Sequence, residues 1–527
     1  MLAAEDFLKL CEEGYNRIAL SRVIPADLDT PLSIYLKACA EDSNGTFLFE
    51  SMQGGEQWGR YSIVGLPCRQ RLEINANTVS RYTDDQLTEQ FEVADPLQWL
   101  EEFQSDIRTP DVAGLPRLSG GLVGYFSYDT VRYIEPRLGA NKAPDPIRTP
   151  DMLFLICDEL CVIDNVAGTV TIMILADTSD GGDALLAYNK AQTRLQEVHA
   201  QLLSPLVLPM QAGESNSSDE VREAEFVSGF SEQEFKSAVK KVKDYILEGD
   251  CMQVVLAQRL STRFDSSPIN LYRALRRLNP SPYLFYINAG DHTIVGSSPE
   301  ILVRAEEGEV CVRPIAGTRP RGRDSEHDKA LEIELLNDPK ELAEHLMLID
   351  LGRNDVGRVA ETGTVEVTDK MSIERYSHVM HIVSNVVGRL RKDLSNLDVL
   401  RATFPAGTLS GAPKVRAMEI IQELEPVKRG IYGGAIGYLS WNGNMDTCIA
   451  IRTAVIKNET LYVQAGAGIV HDSDPQSEWD ETMAKARAIF RAVAAVEQGF
   501  DPAIQQSAGH STSDTDACAD TQSGGME

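Results

Sequence analysis

The stretches GGAIGYLSW (433–441), MDTCIAIRTAVIK (445–457) and TLYVQAGAGIV (460–470) decide the fold class. Each is rich in β-branched and aromatic residues and each is bounded by Gly, Asn or Asp, the pattern of β-strands. The stretch 475–497 that follows contains no Gly, and its only Pro is its first residue. Asp474 ahead of Pro475 suits a capping carboxylate followed by the first helical position. Strands followed by a long helix predict an α+β unit, and the upstream residues extend it. Helical runs are expected at 338–351 and 413–424. Ser231 and Glu234 form a capping box, after which Phe235, Val239, Val242 and Ile246 recur at helical spacing up to Gly249. Strands are expected at 252–264, 282–288, 292–297, 300–306 and 309–315.

Residues 15–203 form an N-terminal region of mixed helix and strand, with a helix over 31–40, a strand over 46–51 and a helix over 183–203. Residues 204–228 shift to Pro, Gly, Ser and acids without periodicity and read as a linker or surface loop. Residues 229–495 carry the motifs discussed below, and 501–527 are Ser-, Asp-, Thr- and Gly-rich, a tail expected to be disordered.

The net charge is −29, which argues against a nucleic-acid binder and against electrostatic attachment to an anionic membrane. No apolar run is long enough to span a bilayer, and the acidic start lacks the basic flank of a signal peptide. The nine cysteines are scattered, and the one close pair, Cys157 and Cys161, has no common metal or redox spacing. A reduced, cytoplasmic chain is expected.

Three constellations carry possible chemistry. Glu341 and Glu344 share one helix face, and so do Glu478 and Glu481. If the two faces converge they offer a hard, oxygen-only site suited to Mg²⁺; otherwise they are solvated acidic faces. Gly-rich backbone recurs at 315–322, 407–414 and 464–468, either as tight turns or as places where an anion can approach backbone N–H groups. GTLSGAPK (407–414) does not have phosphate-loop spacing. Arg452, inside CIAIRTAVI, reads as a mid-strand cation needing an anion or a buried carboxylate. His381, Glu300 after Ser298–Pro299, and Lys485 on the face of Glu478 and Glu481 complete the set. Read locally, this is an anion site beside a possible Mg²⁺ site, acting on a small polycarboxylate.

PIAGTRPRG, KELAEHLMLIDLGRND, RYSHVMHIVSNVVG, GTLSGAPKVRAMEI, YGGAIGY, AIRTA, AGAGIV and DETMAKARA occur in that order over 313–488. This combination resembles the chorismate-utilising enzymes, most closely their anthranilate-forming large subunits. The resemblance implies an α/β sandwich of two facing, largely antiparallel sheets with outer helices, in which 204–228 is an excursion within one body. It implies Glu344 and Glu481 as Mg²⁺ ligands supported by Glu341 and Glu478. It implies Gly317, Thr318, Tyr432, Arg452, Gly466, Ala467, Gly468 and Lys485 as the chorismate site, Glu300 as the acid for loss of the ring 4-hydroxyl, His381 as the histidine of pyruvate elimination, and Thr408 beside the substrate.

Relatives that use water or an internal amine as nucleophile typically place Lys just before the Gly-Thr pair; here that residue is Ala316. A methyl group can neither attack nor activate water, so ammonia is the expected nucleophile and anthranilate and pyruvate the expected products. No Gly-x-Cys-x-Gly elbow is present, so the resemblance implies ammonia from a separate glutamine amidotransferase subunit, in a hetero-oligomer with two copies of each. Ser51, Pro282, Tyr283 and Leu284 resemble a feedback pocket for tryptophan as inhibitor. The alternatives are an aminodeoxychorismate-forming relative and a non-catalytic tryptophan-sensing partner of an amidotransferase.

Overall fold

The computed structural model describes residues 2–39, 43–52, 59–112, 114–179, 181–206, 225–376 and 379–499. The expected tail at 501–527 and the central 207–224 of the expected linker lie outside the described residues.

The predicted strands assemble into two antiparallel sheets. One runs Arg17–Pro25, Thr169–Asp177, Glu159–Asp164, Tyr61–Gly65, Thr46–Glu50, Tyr283–Asn288, Thr293–Ser298, Thr453–Lys457, Thr460–Ile469, Gln253–Arg263, Val227–Ser228, with the short Gly411–Ala412 also on Gln253–Arg263. The other runs Ile315–Pro320, Val379–Arg389, Glu309–Val312, Ile301–Glu306, Met445–Ile449, Ala435–Ser440, Gly121–Phe126, Met152–Cys157, Gln70–Asn75, Thr78–Thr83, Gln86–Glu92, with Glu366–Arg375 on Val379–Arg389. Phe47, Phe285 and Ile294 of the first sheet and Tyr125, Leu153 and Ile436 of the second share one buried apolar core. The outer face of the first sheet packs on Ala184–Leu202, Pro268–Leu278 and Pro475–Glu497. The helices Pro339–Gly357 and Asn396–Thr403 lie on the second sheet. Both sheets draw strands from either side of 207–224: Thr46–Glu50 pairs with Tyr283–Asn288, and Gly121–Phe126 with Ala435–Ser440. No helix among the described residues is long and apolar enough to cross a membrane.

The helix ends fall where the capping chemistry puts them. Asp474 accepts from the N–H groups of Gln476 and Ser477, and Ser231 and Glu234 make the reciprocal capping box. The strand expectations need two corrections. The run 445–457 is not one strand: Met445–Ile449 belongs to the second sheet and Thr453–Lys457 to the first. The run 309–315 is likewise cut, with Glu309–Val312 and Ile315–Pro320 separated at Arg313–Pro314, because Pro has no N–H to continue a ladder.

These interruptions place the site. The chain crosses from the first sheet to the second at Pro299–Glu300, and back from the second to the first over 450–452. The two crossovers lie side by side: the Ile449 N–H donates to the Glu300 carbonyl at 3.0 Å, and the Ser297 N–H to the Arg452 carbonyl at 3.1 Å.

Candidate active site

Glu300 stands on the first crossover. Burial pushes its carboxyl up to about 8, although a hydrogen bond from Thr408 and the charges of Lys485 and Arg452 pull the other way. The Thr408 hydroxyl donates to Glu300 Oε1 at 3.2 Å. At neutral pH Glu300 is therefore mostly the neutral acid, a proton donor in waiting.

Arg452 stands on the second crossover with φ at +49°, not in mid-strand as its apolar neighbours suggest. That left-handed backbone turns the chain between sheets and breaks the strand. No carboxylate of the described residues lies within ion-pair distance of its guanidinium, while Glu300 and Tyr376 are near enough to act on its charge. A guanidinium so placed lacks the anion that its five donors require.

His381 lies on Val379–Arg389. Its Nδ1 is 2.9 Å from the Gly317 carbonyl and 3.1 Å from the Thr318 hydroxyl. A carbonyl only accepts, so Nδ1 carries the proton and Nε2 is left as a basic lone pair. Burial first, and the Arg452 charge as well, lower the imidazole below its ordinary value, keeping it neutral. The Gly317 carbonyl is aimed by a bulge: pairing with Val379–Arg389 slips between Ala316 and Thr318, and Gly317 takes φ +68°. Gly317 is thus a bulged strand residue, a correction to the tight-turn reading.

The Gly466–Ala467–Gly468 run is also strand, not turn, and pairs with Ala257, Leu256 and Val255. A side chain at Gly466 would come within 3.0 Å of the Tyr432 hydroxyl. The Gly466 carbonyl accepts from Lys485 at 2.9 Å, and Lys485 pairs with Glu481 at 2.7 Å. Tyr376 is a further site residue, lying within the RYSHVMHIVSNVVG motif but not singled out by the sequence reading. Its ring meets that of His381 edge-on at 5.4 Å and its hydroxyl donates to Glu374 at 3.0 Å. Ala316 is buried in the same strand as Gly317.

The four glutamates sit in two pairs on Pro339–Gly357 and Pro475–Glu497. Burial and the neighbouring Glu344 raise Glu341; burial raises Glu478, with Glu481 adding to it. Glu478 Oε2 is buried with no hydrogen-bond partner, and the Lys340 charge reaches Glu478 from the other helix. Oxygen-only donors, an orphaned carboxylate oxygen and mutual repulsion within each pair fit a hard divalent cation. Among the described residues, no three of these acids already stand in a closed metal-binding group.

A separate cavity of about 790 Å³ lies between the sheets and is lined by Ser51, Pro282, Tyr283 and Leu284, among others. Tyr283 donates its hydroxyl to Asp446 at 2.9 Å. Glu50, next to Ser51, also borders the cavity, and its carboxylate is held by Tyr272 and by Arg276 at 2.7 and 3.0 Å.

A neutral buried acid beside a guanidinium with no carboxylate partner among the described residues suits an enzyme for a small anionic substrate. The family model of the chorismate binding enzymes matches residues 47–491, and the chain belongs to that family. Anthranilate synthase component 1 of Pseudomonas aeruginosa is 58% identical over 94% of this chain and 99% of its own length. Its counterpart in Neisseria meningitidis is 54% identical over 95% of this chain and its full length. The crystal structure of anthranilate synthase component I from Streptococcus pneumoniae superposes with a TM-score of 0.72 at 37% identity, covering 83% of this chain and 95% of that one.

Proposed function

We propose that this chain converts chorismate and ammonia to anthranilate and pyruvate, as the chorismate-consuming component of an anthranilate synthase. The observation that carries the reading is the pairing of the two crossovers, which sets a neutral carboxyl (Glu300) beside a guanidinium without a carboxylate partner (Arg452). Chorismate has two carboxylates and a ring hydroxyl that must leave. Arg452, with Lys485, binds the carboxylate of the enolpyruvyl arm, and the small Gly466–Gly468 backbone and Tyr432 leave room for the ring. Glu300, oriented by Thr408, donates its proton to the departing 4-hydroxyl, so that water and not hydroxide leaves. Ammonia adds at ring C2, since Ala316 offers no amine or water-activating group. Nε2 of His381, unprotonated and oriented through Nδ1, serves the pyruvate-eliminating step, in which the C2 proton is removed and the ring becomes aromatic. Glu344 and Glu481, with Glu341 and Glu478 behind them, would hold Mg²⁺, which when bound supplies Lewis-acid polarisation of the ring carboxylate. The ammonia comes from a glutamine amidotransferase subunit, two copies of each chain forming the assembly. Tryptophan occupies the cavity of Ser51 and Tyr283 and inhibits by favouring an inactive arrangement.

The test is turnover of chorismate by the purified chain with Mg²⁺ and ammonium, followed by anthranilate fluorescence. Anthranilate formation that stops on chelation and falls with added tryptophan is expected. A folded chain that leaves chorismate untouched, or stops at an amino intermediate without releasing pyruvate, overturns the reading.

A further inference from the structure

Gln253–Arg263 has an open stretch on one side. Gly411–Ala412 covers Gln253 and Val254, Val227–Ser228 covers Leu260 and Ser261, and no strand of the described residues covers the gap. At Val255 and Ala257 an ion pair takes the place of a strand. Glu425 Oε1 accepts from the Ala257 N–H at 2.9 Å, and Arg429 donates to the Val255 carbonyl at 2.8 Å. The side chains of Arg429 and Glu425 are almost fully buried, at 1% and 4% exposure respectively, and are joined at 2.5 and 2.9 Å.

Arg429 does more than mend an edge. A second arm donates to the Leu409 carbonyl at 2.6 Å, the residue after Thr408. Its guanidinium lies over the Tyr128 ring at 4.6 Å and over the Tyr432 ring at 5.7 Å. Val255 and Ala257, the residues it and Glu425 grip, pair directly with Gly468 and Gly466. One buried pair therefore meets three walls of the site: the Thr408 turn, Tyr432 and the Gly466–Gly468 strand. A buried ion pair is weak evidence for stability, since apolar replacement is often neutral, so its placement asks for another reason. A planar fork can hold two carbonyls of separate elements at fixed spacing, which an ammonium cannot.

We propose that Arg429, locked by Glu425, is the positioning residue that holds the Thr408 turn against Glu300 and fixes Tyr432 and the Gly466–Gly468 strand around the substrate. The inference rests on the function proposed above. It separates two tasks: the fork to Leu409 and Val255 serves the proton transfer, and the cation over Tyr432 serves binding.

Arg429→Lys keeps the charge and loses the fork. The expected result in the anthranilate assay is a fall in kcat of about 10- to 100-fold, since small misplacement of a catalytic group costs on that order, with the chorismate KM nearly unchanged. The neutral pair Glu425→Met with Arg429→Met leaves no lone buried charge, and its kinetics are read on protein that circular dichroism shows to be folded; it should lower kcat and also raise KM. Thr408→Val should lower kcat too, and adding it to Arg429→Lys should cost little more, because both act through Glu300. A purely structural role would instead leave kcat and KM of the folded fraction unmoved, or give fully additive losses; either result overturns the inference while the wild type still makes anthranilate. A wild type that makes none overturns the function reading and this inference with it.

Discussion

Replacing Glu300 by Gln separates the acid from its shape. In the unfolded chain this carboxyl ionises from about 4.5, whereas in the fold burial delays ionisation to about 8. A raised pKa means stability that is complete below pH 4.5 and is lost progressively as pH rises through 8. At about 1.4 kcal/mol per pH unit the loss approaches about 5 kcal/mol, a ceiling because Glu300 keeps some solvent exposure. Gln cannot ionise and avoids the loss. In urea unfolding, the Gln variant should therefore gain on wild type between about pH 5 and pH 9, by about 2 kcal/mol or more. Its turnover should fall by about 10²- to 10⁴-fold, the usual contribution of a general acid. Wild-type turnover should fall above about pH 8, as Glu300 ionises and can no longer donate. Parallel unfolding of the two proteins across this pH range, or a Gln variant within tenfold of wild-type turnover, would refute the claim that a neutral buried acid drives the chemistry.

Arg452→Met removes the cation awaiting a carboxylate; a charge-assisted hydrogen bond of about 1.5–3 kcal/mol implies a chorismate KM raised roughly 10- to 100-fold, read by steady-state kinetics. Ala316→Lys places an amine where ammonia must attack, and anthranilate fluorescence should disappear while the protein stays folded by circular dichroism. Tyr283→Ala strips one wall of the inter-sheet cavity and its bond to Asp446; tryptophan should then inhibit at least about tenfold less well, while turnover without tryptophan stays near wild type.

Much of this architecture was legible locally. The cap at Asp474, the capping box of Ser231 and the apolar strand runs are decided by neighbours a few residues apart, which is the range over which a sequence reports its own structure. What escaped was set by distant pairing. CIAIRTAVI reads as continuous strand because Arg452 is flanked by apolar and β-branched residues, yet its two halves pair in different sheets. Gly317 and Gly466–Gly468 look like turns by composition, but a glycine inside a strand is dictated by what approaches it, here Glu341 and the Tyr432 hydroxyl. The neutral state of Glu300 follows from burial alone, and burial of a loop carboxyl cannot be read from Ser-Pro-Glu. Arg429 left one trace, an acid and a base four residues apart in EPVKRG, ahead of Ile431 and Tyr432, but surface pairs of that spacing are common.

Glu300 and Arg452 owe their positions to the same topological event. Each sits where the chain leaves one sheet for the other, and the strand before each crossover bonds to the other crossover: the Ile449 N–H donates to the Glu300 carbonyl and the Ser297 N–H to the Arg452 carbonyl. A sandwich buries its strand interiors, so a crossover is one of the few places where polar side chains can enter the core from backbone that is not bound into a ladder. Two adjacent crossovers running in opposite senses put an acid and a base there together at a spacing fixed by backbone hydrogen bonds. The same geometry explains how a chain of net charge −29 presents cations to a dianion. The surplus acids are spread over solvent, where water and salt screen them, whereas Arg452 acts from a half-buried position in which its field is screened far less. The local sign of the site is thus decided by which side chains the crossovers carry, and not by the charge of the whole.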